Sequence, residues 1–186
     1  MGLDRSALLR DLGVTVVSLP LEIHPEIPVG GLTLADRWAS RYGEALEMYE
    51  RIETACRAAG MAFHRPARVP NTRRALETAE WVRVNEPHLF LPVERGLFEA
   101  HFVDNRPLDD PEVVDAVLVD CGAGAAAARQ AVEAGEMQAP LAAAATLAGE
   151  VGVTGTPAWL VARQILVPGA LPPGVFRQVV SQVQSS

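Results

Sequence analysis

The two cysteines are the residues of this sequence with the widest range of chemistry. Cys56 and Cys121 are far apart, and neither belongs to a C-x-x-C motif or to a cysteine–histidine pattern with zinc-ligand spacing. The apolar spacing around Cys56 puts it on the buried side of a helix, where a free thiol acts as a small hydrophobic side chain. Nothing next to Cys121 in the sequence would lower its pKa and make it a nucleophile. The cysteines therefore predict neither a dithiol pair nor a metal centre.

A second group of candidates consists of polar residues at the ends of predicted elements. His24 ends an apolar run and precedes Pro25, so it could bind a ligand or shuttle a proton near neutral pH. The competing interpretation is a loop histidine that holds its own turn by hydrogen bonds. Asn71 begins a helical pattern, where its side-chain oxygen would cap free N–H groups. His64, Arg65 and Arg68 surround Pro66 and could bind a carboxylate, or could belong to a solvated loop.

The stretch from Val151 to Val161, VGVTGTPAWLV, places a proline directly before an apolar run typical of a buried strand. Proline cannot donate a hydrogen bond to a β ladder, so a proline at this position, Pro157, is unusual and indicates a special backbone arrangement. One interpretation is a trans-proline that starts an edge strand. The other is a cis Thr156–Pro157 bond that presents its backbone at a binding site. Trp159 would then either pack in the core or form the floor of a ligand groove.

The elements that position these residues alternate in type at both ends of the chain. A helix over 3–12 and a strand over 14–24 come first, and an antiparallel hairpin over 157–169 and a helix over 171–183 come last. Between them, helical periodicity with capping residues predicts a block of roughly five or six helices. A helical block between an early strand and a late hairpin indicates an insertion into an α/β core.

Composition limits the classes of partner. The sequence has 186 residues and a net charge of −7, and all of its cationic residues are arginines. An acidic chain without a basic run argues against binding to nucleic acid or to an anionic membrane. No apolar run is long enough to span a bilayer, and no leader precedes the first helix, so the expected location is the cytoplasm.

Four segments occur in a fixed order: LPLEIHPEIPVGG, VPNTRRALETAEWV, GLFEAHFVDNRPLDDPEVV and GVTGTPAWLVARQILVPGALPPGVFRQVV. Together they resemble the DsbA-like family of thioredoxin-fold proteins, and most closely its FrnE-like and 2-hydroxychromene-2-carboxylate isomerase-like branch. The resemblance extends from about Val14 to Val183. It implies an α/β fold, in which a thioredoxin-like core formed by residues 1–30 and 151–186 is interrupted by an all-helical insertion domain over residues 31–150.

The resemblance also implies a ligand site at the start of the late hairpin. Thr156, before a cis Pro157, would offer its backbone to an extended thiol or peptide ligand in the manner of strand addition. His24, Asn71 and Trp159 would complete the set of substrate-binding residues. The implied partners are a thiol or a small-molecule substrate, glutathione is a candidate ligand, and no metal is implied.

The start of the sequence departs from the family pattern. Family members begin with a strand followed by C-x-x-C, or by Ser-Pro-x-Ser/Tyr in the isomerase-like branch, at a helix N-terminus that stabilises a thiolate. Here MGLDRSALLRDLG matches only the later part of that helix. The first strand and the active-site turn are therefore missing, and no catalytic residue is predicted. The competing explanations are a start codon assigned too far downstream, a fragment, or a degenerate member completed by a partner chain.

The functional expectation follows from that departure. The family activity is thiol–disulfide exchange, which needs one thiolate to attack and a second thiol to resolve, and the chain as given should not catalyse it. The alternatives are a glutathione-dependent isomerase or transferase, and a non-catalytic binding module. An exposed sheet edge left by the missing strand makes a second copy of the chain a candidate partner.

Overall fold

The computed structural model describes residues 2–184, without the side chains of Leu3 and Asp4. Most of the described residues are helical, and the strands are short. In chain order the elements are α1 (Gly2–Asp11), β1 (Leu32–Thr33), α2 (Leu34–Trp38), a 3₁₀ helix (Ala39–Arg41), α3 (Tyr42–Ala58), β2 (Arg68–Val69), α4 (Arg73–Asn85), α5 (Phe90–Phe102), α6 (Pro111–Asp120), α7 (Ala125–Glu133), α8 (Gln138–Glu150), β3 (Ala158–Val161), β4 (Ile165–Pro168) and α9 (Pro173–Gln184).

The chain divides into two compact units. The core unit contains the residues up to Ile23 and those from Ala143 onward, and the helical unit contains His24–Ala142. The second boundary between the units lies inside α8. The insertion boundaries expected from the sequence, 31 and 150, stay predictions.

The core unit is built around the antiparallel hairpin of β3 and β4. Trp159 lies opposite Val167 and Val161 opposite Ile165, so these four side chains share one face of the hairpin. Val167 on that face is buried with Leu9 of α1 and with Phe176 and Val180 of α9, and the other three side chains pack against this cluster. The predicted late hairpin and final helix are confirmed, because alternating apolar residues followed by helical spacing leave few other arrangements.

The strand predicted over 14–24 is wrong. Its side chains do alternate, since Val14 and Val16 pack on the core cluster while Val17 and Leu19 are 64% and 53% exposed. The Val14 N–H donates to the Leu9 carbonyl at 3.0 Å, but residues 15–21 form no backbone hydrogen bond with any other described residue. A strand is defined by its partner as well as by its side chains. The segment therefore has the side-chain pattern of a strand without its pairing.

The helical unit has a core of its own, in which α4, α5, α6 and α7 pack together. Val82, Val93 and Leu118 within this core have no exposed surface. At one side of the unit, β1 pairs antiparallel with β2, with Leu32 opposite Val69. This short pairing holds the loop before β1 against the segment that leads into α4.

Helix α6 begins with a capping residue followed by a proline. The Asp110 carboxylate accepts a hydrogen bond from the Glu112 N–H at 2.9 Å. Replacing Asp110 with alanine should lower the free energy of unfolding by about 0.5–2 kcal/mol, because this cap is lost. Urea denaturation followed by circular dichroism measures the change. Asp110→Asn keeps an acceptor and should stay close to the parent protein; an equal loss in both variants would show that the cap is not the cause.

Candidate ligand-binding site

The hairpin begins at Thr156 and Pro157, which are joined by a cis peptide bond. The Pro157 carbonyl accepts a hydrogen bond from the Gly169 N–H at 2.7 Å, which extends the β3–β4 ladder by one pair. Gly2, the first residue of α1, lies against the proline: a Cβ at Gly2 would be 3.6 Å from Pro157 Cβ. The start of α1 and the start of β3 are therefore neighbours within the core unit.

One edge of β3 is open. In an antiparallel pair, hydrogen-bonded and non-hydrogen-bonded positions alternate along each strand. Because Pro157 is bonded to Gly169, the alternation points the backbone groups of Thr156, Ala158 and Leu160 away from β4. Among the described residues β3 pairs with β4 alone, and these three residues have no other backbone partner. This edge can accept a further strand.

Trp159 lies on the face of β3 that covers the core cluster. Its indole N–H donates to the Gly169 carbonyl at 3.2 Å. Its ring meets that of Phe176 edge to face, with the ring centroids 5.4 Å apart and the planes at 81°. The hydrogen bond ties Trp159 to the end of β4 and the ring contact packs it against α9, so Trp159 acts as a packing residue next to the open edge.

His24 belongs to a hydrogen-bonded turn on the surface of the helical unit. Its Nδ1 is 3.1 Å from the Glu26 carboxylate and 3.1 Å from the Arg37 guanidinium. Nδ1 can donate to the carboxylate or accept from the guanidinium, but one protonation state cannot do both. A backbone hydrogen bond, followed by the electrostatic interactions with His24 and Arg37, lowers the pKa of Glu26. These contacts match the interpretation in which His24 holds its own turn.

Asn71 connects that same turn to the start of α4. Its side-chain N–H donates to the Ile27 carbonyl at 2.6 Å, and its side-chain oxygen accepts from the Arg73 N–H at 3.0 Å. The sequence indicated Asn71 as the N-cap of α4, but the N-cap position is occupied by Thr72. Asn71 stands one residue before the N-cap and still accepts a hydrogen bond from the first turn of the helix. The Ile27 N–H in turn donates to the His24 carbonyl at 3.2 Å.

The five residues expected at a binding site thus fall into two groups. Thr156, Pro157 and Trp159 lie together in the core unit, and His24 and Asn71 lie together in the helical unit. The resemblance led us to expect an exposed sheet edge where the family's first strand is missing. Among the described residues, β3 has such an edge.

The two thiols are free and lie in the helical unit. Cys56 is buried in α3. Cys121 is partly buried at the end of α6, where burial, and then the negative charges of Asp120 and Glu99, raise the pKa of its thiol. The raised pKa favours the protonated form of Cys121 over the reactive thiolate. No group of three histidine, cysteine or acidic residues in the described part of the chain could hold a metal ion.

His64 and Arg65 line an open cavity of about 480 Å³ beside the end of α3. The Arg65 guanidinium donates to Glu53 at 3.1 Å and lies over the Tyr49 ring at 5.9 Å. The backbone N–H of His64 donates to the Phe102 carbonyl. Most of the charge here is already compensated within the protein, as expected for a solvated loop.

These observations define the class of protein, a thioredoxin-like α/β core interrupted by a helical insertion. The chain belongs to the family of the DSBA-like thioredoxin domain, whose model matches residues 3–181. A solved structure described as a probable DsbA oxidoreductase from Streptomyces coelicolor has a TM-score of 0.85 and 21% identity, with 100% of this chain and 84% of that one covered. At this identity the likeness shows the fold. No curated protein matches the chain.

In the part of the chain that the structure describes, no helix is both long and apolar enough to cross a bilayer.

Proposed function

We propose that the core unit binds an extended thiol or peptide ligand along the open edge of β3, and that the 186-residue chain does so without catalysing dithiol exchange. The observation that carries this proposal is the edge itself, where the backbone groups of Thr156, Ala158 and Leu160 lack partners among the described residues. A ligand that adds as a further strand would satisfy them with main-chain hydrogen bonds. Membership of a thiol–disulfide oxidoreductase-like family supports a thiol-bearing ligand.

The proposed lack of dithiol exchange follows from the thiols of this sequence. Exchange requires a thiolate to attack a disulfide and a second thiol to resolve the mixed disulfide. Cys56 is buried, and the pKa of the Cys121 thiol is raised. Two unpaired cysteines also suit a reducing compartment, which supports a cytoplasmic location.

Ligand binding can be tested with a matched pair of proline variants. Leu160 and Leu166 lie opposite each other in the hairpin, and the backbone groups of each face away from the other strand. Leu160→Pro removes a donor from the open edge of β3, while Leu166→Pro makes the same change on the outer edge of β4. S-methylated insulin B chain, an extended and unreactive peptide, is the probe, with reduced glutathione as a second ligand in calorimetric titrations.

We expect Leu160→Pro to weaken peptide binding by about tenfold, equivalent to ~1.4 kcal/mol, because the lost donor and the added ring act at the same edge. Leu166→Pro should leave the affinity within about twofold of the parent chain, much less than the tenfold change expected for Leu160→Pro. Equal weakening by both variants, or binding of neither ligand to the parent chain, would contradict the proposal.

The absence of dithiol exchange has its own assay. With dithiothreitol present, the chain should not accelerate the precipitation of reduced insulin, since no thiol pair is available to cycle. Acceleration would refute this part of the proposal, and Cys56→Ser and Cys121→Ser would then identify the thiol responsible.

A further inference from the structure

A small cavity in the helical unit is lined by positively charged and amide side chains. It has a volume of about 80 Å³ and lies between the segment around β2 and the residues that follow α5. Its polar lining consists of Arg68, His101, Asn105 and Arg106, and three prolines contribute most of the rest. None of its described lining residues is acidic. Asp109 acts electrostatically on His101 but is not part of the lining.

Several hydrogen-bond donors that line this cavity are not fully used by other described residues. The Arg106 side chain is partly buried and makes no hydrogen bond or ion pair with any other described residue. The Arg68 guanidinium donates to the Gly30 carbonyl. The Asn105 side-chain oxygen accepts from the Ala67 N–H at 3.1 Å, which leaves its NH₂ group free to donate. No Arg106 nitrogen is among the buried unpartnered atoms, so its guanidinium faces water and is available to donate to an anion that enters the cavity.

The size of the cavity limits the anion. A single water needs about 10–15 Å³ of such space, and drug-sized ligands need about 300 Å³ or more. The cavity therefore suits a group of a few heavy atoms. We propose that it binds a phosphate group, whose oxygens can accept from the two guanidinium groups and the Asn105 amide at once. This inference is independent of the ligand proposed for β3, because the cavity lies wholly within the helical unit.

The experiment is a titration of the full chain with inorganic phosphate at fixed pH and constant ionic strength, with chloride as the compensating anion. Amide NMR shifts of Ala67, His101 and Arg106 report binding, and the melting temperature reports the linked stabilisation. Glycerol phosphate is titrated in parallel, so that binding of both identifies a site open to phosphate esters and binding of inorganic phosphate alone identifies a closed one.

Arg106→Gln is the test variant and Arg95→Gln is its control. Arg106→Gln breaks no interaction with a described residue, so the variant should fold, and phosphate affinity should fall by about tenfold or more. Arg95 is an exposed arginine on α5 that also lacks a described partner and lies outside the cavity. Arg95→Gln should leave the affinity unchanged.

Three results would overturn the proposal. They are the absence of any saturable shift at the cavity amides, phosphate binding that Arg106→Gln leaves intact, and an equal loss in Arg95→Gln. If Arg106→Gln fails to fold, the amide shifts of the parent chain still decide between a phosphate site and none.

Discussion

Replacing Phe176 with alanine is expected to destabilise the core unit by about 3–5 kcal/mol, the range for a fully buried phenylalanine whose cavity does not collapse. Phe176 has no exposed surface. It packs with Leu9 and Val180 and meets Trp159 edge to face. The substitution therefore removes contacts to α1, β3 and α9 in one step. Urea denaturation, followed by the fluorescence of Trp159 in a variant that lacks the other two tryptophans, measures the loss.

Phe98→Ala is the control for Phe176→Ala. Phe98 is 50% exposed on α5, so the same truncation removes less buried surface and should cost well under half as much. A Phe176→Ala variant as stable as Phe98→Ala would show that the core cluster is not what holds the hairpin in place. The expected loss also has a functional consequence, because ligand binding at the open edge of β3 requires the hairpin to be ordered.

The late part of the fold could be predicted because its signals are local. The hairpin and α9 follow from apolar alternation, a short turn and helical spacing within one continuous stretch. The helical block is likewise marked by caps such as Asp110. Local sequence signals do not suffice where a segment becomes a strand only by pairing with another strand. Residues 14–24 have the composition and alternation of a strand, but strand pairing depends on a neighbour that no local pattern contains.

The candidate sites show the same limit. Thr156 and Pro157 stood out because a proline before an apolar run is a local anomaly. Other features of the sites join residues that are far apart in the chain. Asn71 bonds to Ile27, and Arg68 and Arg106 line the same cavity. The sequence does not indicate Arg106 as a binding residue, since an arginine in a polar loop is ordinarily solvated. That its side chain has no partner among the described residues is visible only in the folded structure.

Replacing Gly31 with alanine is expected to disturb the pairing of β1 with β2. Gly31 has a φ of +66°, which costs a residue with a Cβ about 1–2 kcal/mol. Its Cβ would also lie 2.7 Å from the Val69 carbonyl oxygen and 3.1 Å from Pro70 Cα. Both atoms belong to the backbone, so the clash cannot be relieved by a side-chain rotation and should add about 1–3 kcal/mol.

Gly60→Ala separates the two contributions. Gly60 has a nearly identical φ of +67°, but a Cβ there would meet nothing within 4 Å. It should therefore show the conformational cost alone, and the difference in unfolding free energy between the two variants should be about 1–3 kcal/mol. Equal destabilisation of the two would mean that the approach of Gly31 to Val69 relaxes freely.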